Sequence, residues 1–152
     1  MKLIILLNLI IFIFIPVWAQ DVDNISIENF SIDEVSFVGM KLDELIGNFG
    51  APKTVFASRG IELWQDDVVF QYDQGDFYIY KDRVWQVKLS SAFGIKTGDP
   101  KQAVLLLMGD NLNDKGDHVL QPVPGKTWPM MFRVNFNNTG RVTSILIYRS
   151  DY

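Results

Sequence analysis

The sequence contains two short helical segments, each closed by a glycine and each followed by several strand-like runs. In the first segment, GMKLDELIGNFGAP, apolar residues recur at the spacing of one helix face. These residues are Leu42, Leu45, Ile46 and Phe49. Gly50 can adopt the left-handed conformation that ends a helix, and Pro52 cannot continue one. The second segment, FGIKTGDPKQAVLLLMGD, has the same form and ends at Gly109.

The runs between and after these segments are rich in β-branched and aromatic residues, with turn-forming breaks between them. They are KTVFA, IELWQ, DVVFQYD, DFYIYKD and RVWQVKLS after the first helix, and HVLQPV, WPMMFRVNF and RVTSILIYRS after the second. VSFVG, before the first helix, also predicts a short strand. The predicted fold class is α+β, built as two tandem helix-plus-antiparallel-sheet repeats.

Sequence echoes set the boundaries of the two repeats. Gly94-Ile95-Lys96 matches Gly39-Met40-Lys41, although the glycine-to-glycine spacing is 11 residues in the first copy and 15 in the second. Arg141-Val142 matches Arg83-Val84 after the corresponding turn. We therefore predict repeats over 35–93 and 94–152. The alternative is that any α+β chain punctuated by glycine produces such echoes.

The first 19 residues have the form of a secretory signal peptide. Lys2 precedes a run of 13 residues that is apolar apart from Asn8, and Val17 and Ala19 are small residues before the expected cleavage point. A membrane anchor is the alternative, but a span needs roughly 20 apolar residues. Residues 20–34 are polar and acidic and are predicted to be a partly disordered leader. The protein is therefore expected to be secreted or periplasmic, without stable membrane insertion after cleavage.

Composition excludes several classes of function. The chain has no cysteine, so disulfides, thiolate chemistry and a lipid-bearing cysteine are ruled out. Its formal net charge is −4 and it has no basic run, which argues against nucleic-acid binding. A domain of roughly 150 residues can still bury about two-thirds of its unfolded surface, so a core alone can stabilise it.

The first helical motif resembles the signature of the SmpA/OmlA outer-membrane assembly proteins, a Gly-Met, a short helix with apolar pairs, and then Gly-x-Pro. The matching residues are Gly39, Met40, Leu45, Ile46, Gly50 and Pro52. Two such units in tandem resemble the fold of the β-lactamase inhibitory proteins. The resemblance implies sheets placed side by side and binding of other proteins through them. The chain lacks the cysteine of the first family and the disulfides of the second.

No catalytic or metal-binding pattern emerges from the polar residues. His118 is the only histidine, and no nucleophile stands in a recognisable frame around it. The loop GDNLNDKGD does not match a calcium-binding loop, because Leu112 and Lys115 fall where a ligand and a glycine are needed. Asp66 and Asp67 are adjacent, so a strand would point them to opposite faces. We predict no catalytic residue, no metal and no cofactor.

Aromatic residues are the most informative candidates for a site. If Lys81-Asp82 is a two-residue turn, Tyr80 pairs with Arg83 and Tyr78 pairs with Trp85, which places these four side chains on one sheet face. Tyr, Trp and Arg are the residue types that concentrate binding energy at protein interfaces. The candidate protein-binding residues are Trp64, Tyr72, Tyr78, Tyr80, Arg83, Trp85 and Trp128, rimmed by charges such as Arg83, Lys88 and Arg133. The alternative is that both faces are core or that the tyrosines are ordinary half-exposed sheet residues.

The function expected from these patterns is that of a non-catalytic protein-binding module whose partner is another envelope or secreted protein. The first alternative is a small ligand carrier or hydrolase of the cell envelope with its site between the two repeats. The second is a purely structural envelope protein. An enclosed apolar pocket with convergent polar groups would favour the carrier, whereas an open aromatic face would favour the protein binder.

We expect the mature protein to begin at Gln20, because the apolar run is short and ends in a small-residue cleavage site. Intact-mass measurement of the protein recovered from its native host checks this prediction. A mass that retains residues 1–19 would support the membrane anchor instead.

Overall fold

The computed structural model describes residues 32–59, 66–109, 112–124 and 127–152. This part of the chain forms three helices and ten strands. The helices are α1 (Ile32–Ser36), α2 (Leu42–Phe49) and α3 (Lys101–Met108). The strands are β1 (Thr54–Ser58), β2 (Asp67–Gln71), β3 (Gly75–Tyr80), β4 (Arg83–Leu89), β5 (Ser91–Ala92), β6 (Ile95–Lys96), β7 (Asn113–Asp114), β8 (His118–Val123), β9 (Met130–Phe136) and β10 (Val142–Arg149).

Eight of these strands form one antiparallel sheet in the order β1-β2-β3-β4-β10-β9-β8-β7. β5 and β6 form a separate small hairpin. Each half of the chain contributes four strands, and the last strand of each half lies in the middle of the sheet. The structure thus confirms the mixed helix and antiparallel-sheet class, and it shows that both halves share one continuous sheet.

The core lies on one face of this sheet. A row of directly paired residues crosses the middle of the sheet from β3 to β8. Its members are Phe77, Val87, Ile147, Phe132 and Gln121, and none is more than 2% exposed. Because side chains alternate between faces, every second residue of these strands joins the same core. Burying one such apolar side chain contributes about 1.5–3 kcal/mol.

The helix α2 covers part of this core face. Leu45 is fully buried, and the ring of Phe49 lies 5.7 Å from that of Phe77 and 5.6 Å from that of Tyr72. The helix begins with a capping interaction in which the Lys41 backbone N–H donates to the Glu44 carboxylate at 3.0 Å. It ends where the Gly50 N–H donates to the Ile46 carbonyl at 2.8 Å. The helix predicted from the apolar spacing is therefore confirmed.

The segment before each long helix pairs with the last strand of its own half. The Gly39 N–H donates to the Val84 carbonyl, and the Gly98 N–H donates to the Val142 carbonyl, both at 2.8 Å. The sequence echo predicted that Gly94 is the counterpart of Gly39. The hydrogen bonds show that the counterpart is Gly98. Gly94 lies instead in the turn of the β5–β6 hairpin, with φ of +78°. The spacing to the glycine that ends the helix is then 11 residues in both halves.

The segment before α2 differs from the strand and leader predicted there. VSFVG is not a strand, because Ile32–Ser36 is helix α1 and a turn follows it. Val35 and Val38 are both buried, at 4% and 2% exposure, so packing against the core outweighs the strand preference of their side chains. Helix α1 begins inside the segment predicted as a leader. The predicted strand IELWQ lies outside the described residues.

Gly39 is held in a conformation and a space that only glycine tolerates. Its φ is +95°, and an added Cβ would lie 2.5 Å from Cζ2 of Trp128. We expect Gly39→Ala to lower the free energy of unfolding by about 2–4 kcal/mol, measured by urea denaturation. Gly47→Ala is the matched control, because nothing lies within 4 Å of its added Cβ. The control should gain about 0.5–1 kcal/mol, and equal effects of the two changes would contradict the prediction.

Candidate functional site

The β3–β4 hairpin positions the first residues of the candidate site, Tyr78, Tyr80 and Trp85. Lys81 and Asp82 form its turn and Tyr80 pairs with Arg83, as the sequence predicted. The predicted pairing of Tyr78 with Trp85 is wrong. Tyr78 pairs with Gln86 and Ile79 pairs with Val84, so Trp85 is an extra residue in β4 and forms a β-bulge. A bulge cannot be foreseen from the period-2 pattern, because the pattern assumes a regular ladder.

The bulge nevertheless brings Trp85 next to Tyr78. Their ring centroids are 6.4 Å apart in an edge arrangement. The Trp85 indole N–H donates to Oδ1 of Asp67 on the neighbouring β2 at 3.0 Å, which fixes the orientation of the ring. Tyr78 and Asp67 both lie on the sheet face opposite to Phe77 and the core.

Partial burial changes the acidity of two groups around Trp85. Burial raises the pKa of Asp67, although the hydrogen bond from Trp85 lowers it and the charge of Asp66 raises it further. Burial also raises the pKa of Tyr78, with smaller contributions from Asp76 and Asp67. Tyr78 therefore remains a neutral hydrogen-bonding phenol at physiological pH.

The end of β10 supplies two residues that the sequence prediction missed. The ring of Tyr152 lies 5.2 Å from that of Tyr80 and 6.3 Å from that of Trp85. The Arg149 guanidinium lies 4.5 Å from the Tyr152 ring centroid and 5.0 Å from that of Trp128. We call this group the aromatic cluster. Its members are Tyr78, Tyr80, Trp85, Trp128, Arg149 and Tyr152.

Asp151 holds Arg149 in place beside Tyr152 and Trp128. Its Nε donates to one carboxylate oxygen at 3.0 Å and its Nη2 donates to the other at 2.8 Å. This hydrogen-bonded pair raises the pKa of Arg149 and lowers that of Asp151. A planar cation between two aromatic rings gains cation–π attraction from both. The pair therefore orders the chain end against the sheet.

Tyr72 and Arg83, also predicted for the site, make their hydrogen bonds outside the cluster. Tyr72 does not join the cluster, because it is only 7% exposed, packs on Phe49 and Phe77 in the core, and donates to the Gly50 carbonyl at 3.1 Å. Its burial raises the pKa of its phenol. Arg83 donates from Nη1 to the Gly39 carbonyl at 3.0 Å. Trp64 lies outside the described residues.

The sheet face opposite to the core extends the surface beyond the cluster. One row of paired residues begins at Tyr78 and continues through Gln86, Tyr148, Met131 and Pro122, all of them half-buried or exposed. The next row begins at Asp76 and continues through Lys88, Leu146, Arg133 and Leu120. Both predicted rim charges of this row, Lys88 and Arg133, are on the face that carries Tyr78.

The polar candidates are held by local interactions. Asp66 pairs with Arg59 at 2.9 Å, while Asp67 binds Trp85, so the two acids act separately. Nδ1 of His118 lies 2.7 Å from Oδ1 of Asp117, and this contact lowers the pKa of Asp117. Within the described residues, no group of three His, Asp or Glu side chains is placed to hold a metal ion.

The loop after α3 is tied by a lysine. Asp114 Oδ1 accepts from Lys101 Nζ at 2.7 Å and from the Gly116 N–H at 2.8 Å. These bonds, the Lys101 contact first, lower the pKa of Asp114. The Lys101 ammonium group thus lies against the Asp114 carboxylate, where a metal cation would otherwise bind.

A cleft lies between the two halves of the chain, where the ligand-carrier alternative expects its site. Its volume is about 270 Å³ and it is open to solvent. Its lining combines residues of the first half, such as Asp73, Asp76 and Lys88, with Thr97 and Thr143 of the second. The second described cleft, of about 440 Å³, lies between the start of α2 and the β3–β4 turn.

Comparisons with known proteins give distant structural likenesses. No protein-family model and no curated protein matches the sequence. An extracellular protein containing a SCP domain from Bacillus anthracis has 12% identity and a TM-score of 0.48, with 77% of this chain and 45% of that chain covered. A cysteine-rich secretory protein from Staphylococcus aureus has 13% identity and a TM-score of 0.47, with 76% and 46% covered. This chain spans less than half the length of each. At these scores, neither a fold nor a function is transferred.

We expect Asp67→Asn to raise the melting temperature at pH 7 and to have a smaller effect at pH 3. The folded-state pKa of Asp67 is raised, so its proton stabilises the fold at low pH and this contribution is lost as the pH rises through that pKa. The asparagine keeps an acceptor for the Trp85 N–H but carries no charge to desolvate.

Thermal denaturation followed by circular dichroism at both pH values measures this difference. Asp82→Asn is the control, because the Asp82 side chain lies in a turn and is 72% exposed. A lower melting temperature of Asp67→Asn than of the unchanged protein at pH 7 would show that the charged Asp67 stabilises the fold.

Proposed function

We propose that this protein is a secreted or periplasmic, non-catalytic module that binds another protein through its aromatic cluster. The observation that carries the proposal is that Tyr152 contacts Tyr80, Trp85 and Arg149, while Tyr78 lies against Trp85. These residue types are enriched among the few that dominate binding energy at protein interfaces. Tyr152 is 55% exposed, so part of the cluster faces solvent.

Hydrogen bonds that order the cluster side chains before a partner binds favour high affinity. Trp85 is oriented by Asp67, and Arg149 is oriented by two hydrogen bonds to Asp151. Side chains that are already ordered lose less conformational entropy when a partner binds. A partner with an acidic or carbonyl-rich patch beside an apolar one would match Arg149 and the rings around it. The adjoining row with Lys88 and Arg133 continues this mixed surface.

The proposal includes the architecture of two related helix–sheet units. The two halves make equivalent backbone hydrogen bonds, which support this architecture. Besides the bonds from Gly39 and Gly98, the Val84 N–H donates to the Met40 carbonyl and the Val142 N–H donates to the Asp99 carbonyl, each at 2.9 Å. Two units whose strands share one sheet agree with the resemblance to the β-lactamase inhibitory proteins and to the SmpA/OmlA helix motif. An envelope or secreted protein is the partner class that the signal peptide implies.

The proposed location rests on the signal peptide of residues 1–19. None of the helices in the described residues is long and apolar enough to cross a membrane. After cleavage the protein would act outside the cytoplasm.

The second candidate function is a small ligand carrier or hydrolase, and the cleft between the two halves favours it. The cleft of about 270 Å³ is shaped by both halves, as that alternative expects. Its lining includes charged and hydroxyl side chains rather than the predominantly apolar wall that is usual for small-molecule sites. The aromatic cluster therefore supports protein binding better than the cleft supports a ligand.

A crosslinking pull-down from the native cell envelope tests the proposal. The bait is the mature chain with its affinity tag directly after Gln20, because a tag attached beside Tyr152 would cover the cluster. We expect a partner to be recovered with this bait and to fall at least about tenfold with Tyr78→Ala/Tyr80→Ala/Trp85→Ala, since each interface hot spot contributes about 2 kcal/mol or more.

The control bait carries Ile46→Ala/Leu106→Ala, two exposed apolar residues on helices α2 and α3, away from the sheet face that carries the cluster. Circular dichroism must show that both variants are folded. Equal recovery by all three baits would place the interface elsewhere on the protein. Failure of the folded, unchanged bait to recover any partner would overturn protein binding and direct attention to small ligands of the cleft.

A further inference from the structure

The two edges of the eight-stranded sheet differ in how they are protected. The edge at β7 is two residues long and polar, and its Asp114 is bound by Lys101. The edge at β1 is five residues long, and the run Thr54–Ser58 contains no charge, proline or glycine. Natural edge strands are usually shortened, charged or covered, because their unpaired backbone groups can pair with another chain. Among the residues that the structure describes, β1 has none of these protections.

The outer side of β1 is open in the described part of the chain. β2 is the strand partner of β1 there, and it lies on the inner side. Val55 is 52% exposed and Phe56 is 42% exposed. The neighbouring charges are confined to the two ends of the strand, where Lys53 pairs with Asp73 and Arg59 pairs with Asp66. The strand between these two ion pairs is therefore an exposed, uncharged edge, and the charges at its ends are already paired.

We propose that β1 pairs antiparallel with β1 of a second copy, about a two-fold axis at Phe56. The strand TVFAS is complementary to itself in this register. Thr54 falls opposite Ser58 of the second copy, so two hydroxyl side chains meet, and Val55 falls opposite Ala57, so two aliphatic side chains meet. The two Phe56 rings meet at the axis. Aromatic pairs and Thr–Ser pairs across strands are stabilising.

Electrostatics also permits this pairing. No like charges meet within the strand. Just beyond its ends, Lys53 falls opposite Arg59 of the second copy, but Asp73 already pairs with Lys53 and Asp66 with Arg59, so the repulsion between the two cations is reduced. A two-fold contact uses the same patch on both chains, so it closes at two copies and leaves no further edge of this kind. The contact joins two eight-stranded sheets edge to edge. Five paired residues bury less than the about 800 Å² per partner of a standard interface, so the dimer is weak and dependent on concentration.

The first test follows association of the full mature chain by sedimentation velocity over a range of concentrations. We expect the average mass to rise from one chain towards two. Phe56→Lys and Phe56→Glu should each remain monomeric, because like charges would meet at the axis, and an equimolar mixture of them should associate again. Leu106→Lys is the control, because Leu106 is 72% exposed on α3, and it should associate like the unchanged protein. A monomer at every concentration, or association of Phe56→Lys alone, would overturn the proposal.

A second test leaves Phe56 intact, since Phe56 lies opposite the buried Val69 and its loss could weaken the fold. The chain has no cysteine, so introduced thiols can react only with each other. Thr54→Cys and Ser58→Cys would lie opposite one another across the axis, at about 4.5–5.5 Å between Cα atoms, which a disulfide can span.

Under a mild added oxidant that accepts the two electrons, a mixture of the two variants should form a linked dimer, whereas each variant alone should not. Each variant alone places its two thiols about four residues apart along the paired strands, beyond disulfide reach. Equal crosslinking of the single variants, or no crosslinking of the mixture, would contradict this register.

Discussion

The antiparallel pairing of β4 with β10 is the contact on which the rest of the structure depends. It joins the two four-stranded halves of the chain into one sheet, through the pairs Val87–Ile147 and Gln86–Tyr148. The first pair lies in the buried row that crosses the core, and the second lies on the opposite face. The same pairing carries the chain end of β10 alongside the β3–β4 hairpin. The core and the aromatic cluster therefore both require this one strand contact.

As a result of that arrangement, one face of the sheet forms the core and the other remains partly exposed. The core face is filled by aliphatic and aromatic side chains and by the buried residues of α1, α2 and α3. The other face keeps half-buried tyrosines and a tryptophan, and it carries an acid, Asp67, whose pKa is raised by burial. A carboxylate that is costly to desolvate is retained there because it orients Trp85. Groups whose environment shifts their pKa are more common at functional sites than elsewhere, although structural hydrogen bonds also produce such shifts.

The proposed binding cluster and the proposed dimer edge occupy different parts of the sheet. β1 is separated from β4 by β2 and β3, whereas the cluster is centred on β3, β4 and the end of β10. A dimer joined at β1 would therefore leave both clusters available. Two linked sites raise the effective affinity for a partner that presents two copies of its own surface. A weak dimer can in this way increase the strength of a binding function without adding contacts at the cluster.

The sequence by itself determined the local elements of this protein. The apolar spacing of Leu42, Leu45 and Phe49 with the terminal Gly50 predicted α2, and the β-branched and aromatic runs predicted most of the strands. The turn at Lys81-Asp82 was also predicted, because these signals depend on neighbours in the chain. VSFVG was predicted wrongly, since burial of Val35 and Val38 against the core favours a helix end and a turn there.

Only the tertiary structure decided which residues form the site. The bulge at Trp85 shifts the β3–β4 register, and no local signal marks it. Tyr72 was assigned to the binding face by its residue type, but the contact with Phe49 draws it into the core. Arg149 and Tyr152 join Tyr80 and Trp85 only because β10 lies beside β4. Local pattern determines what each segment forms, whereas long-range strand pairing determines which side chains meet.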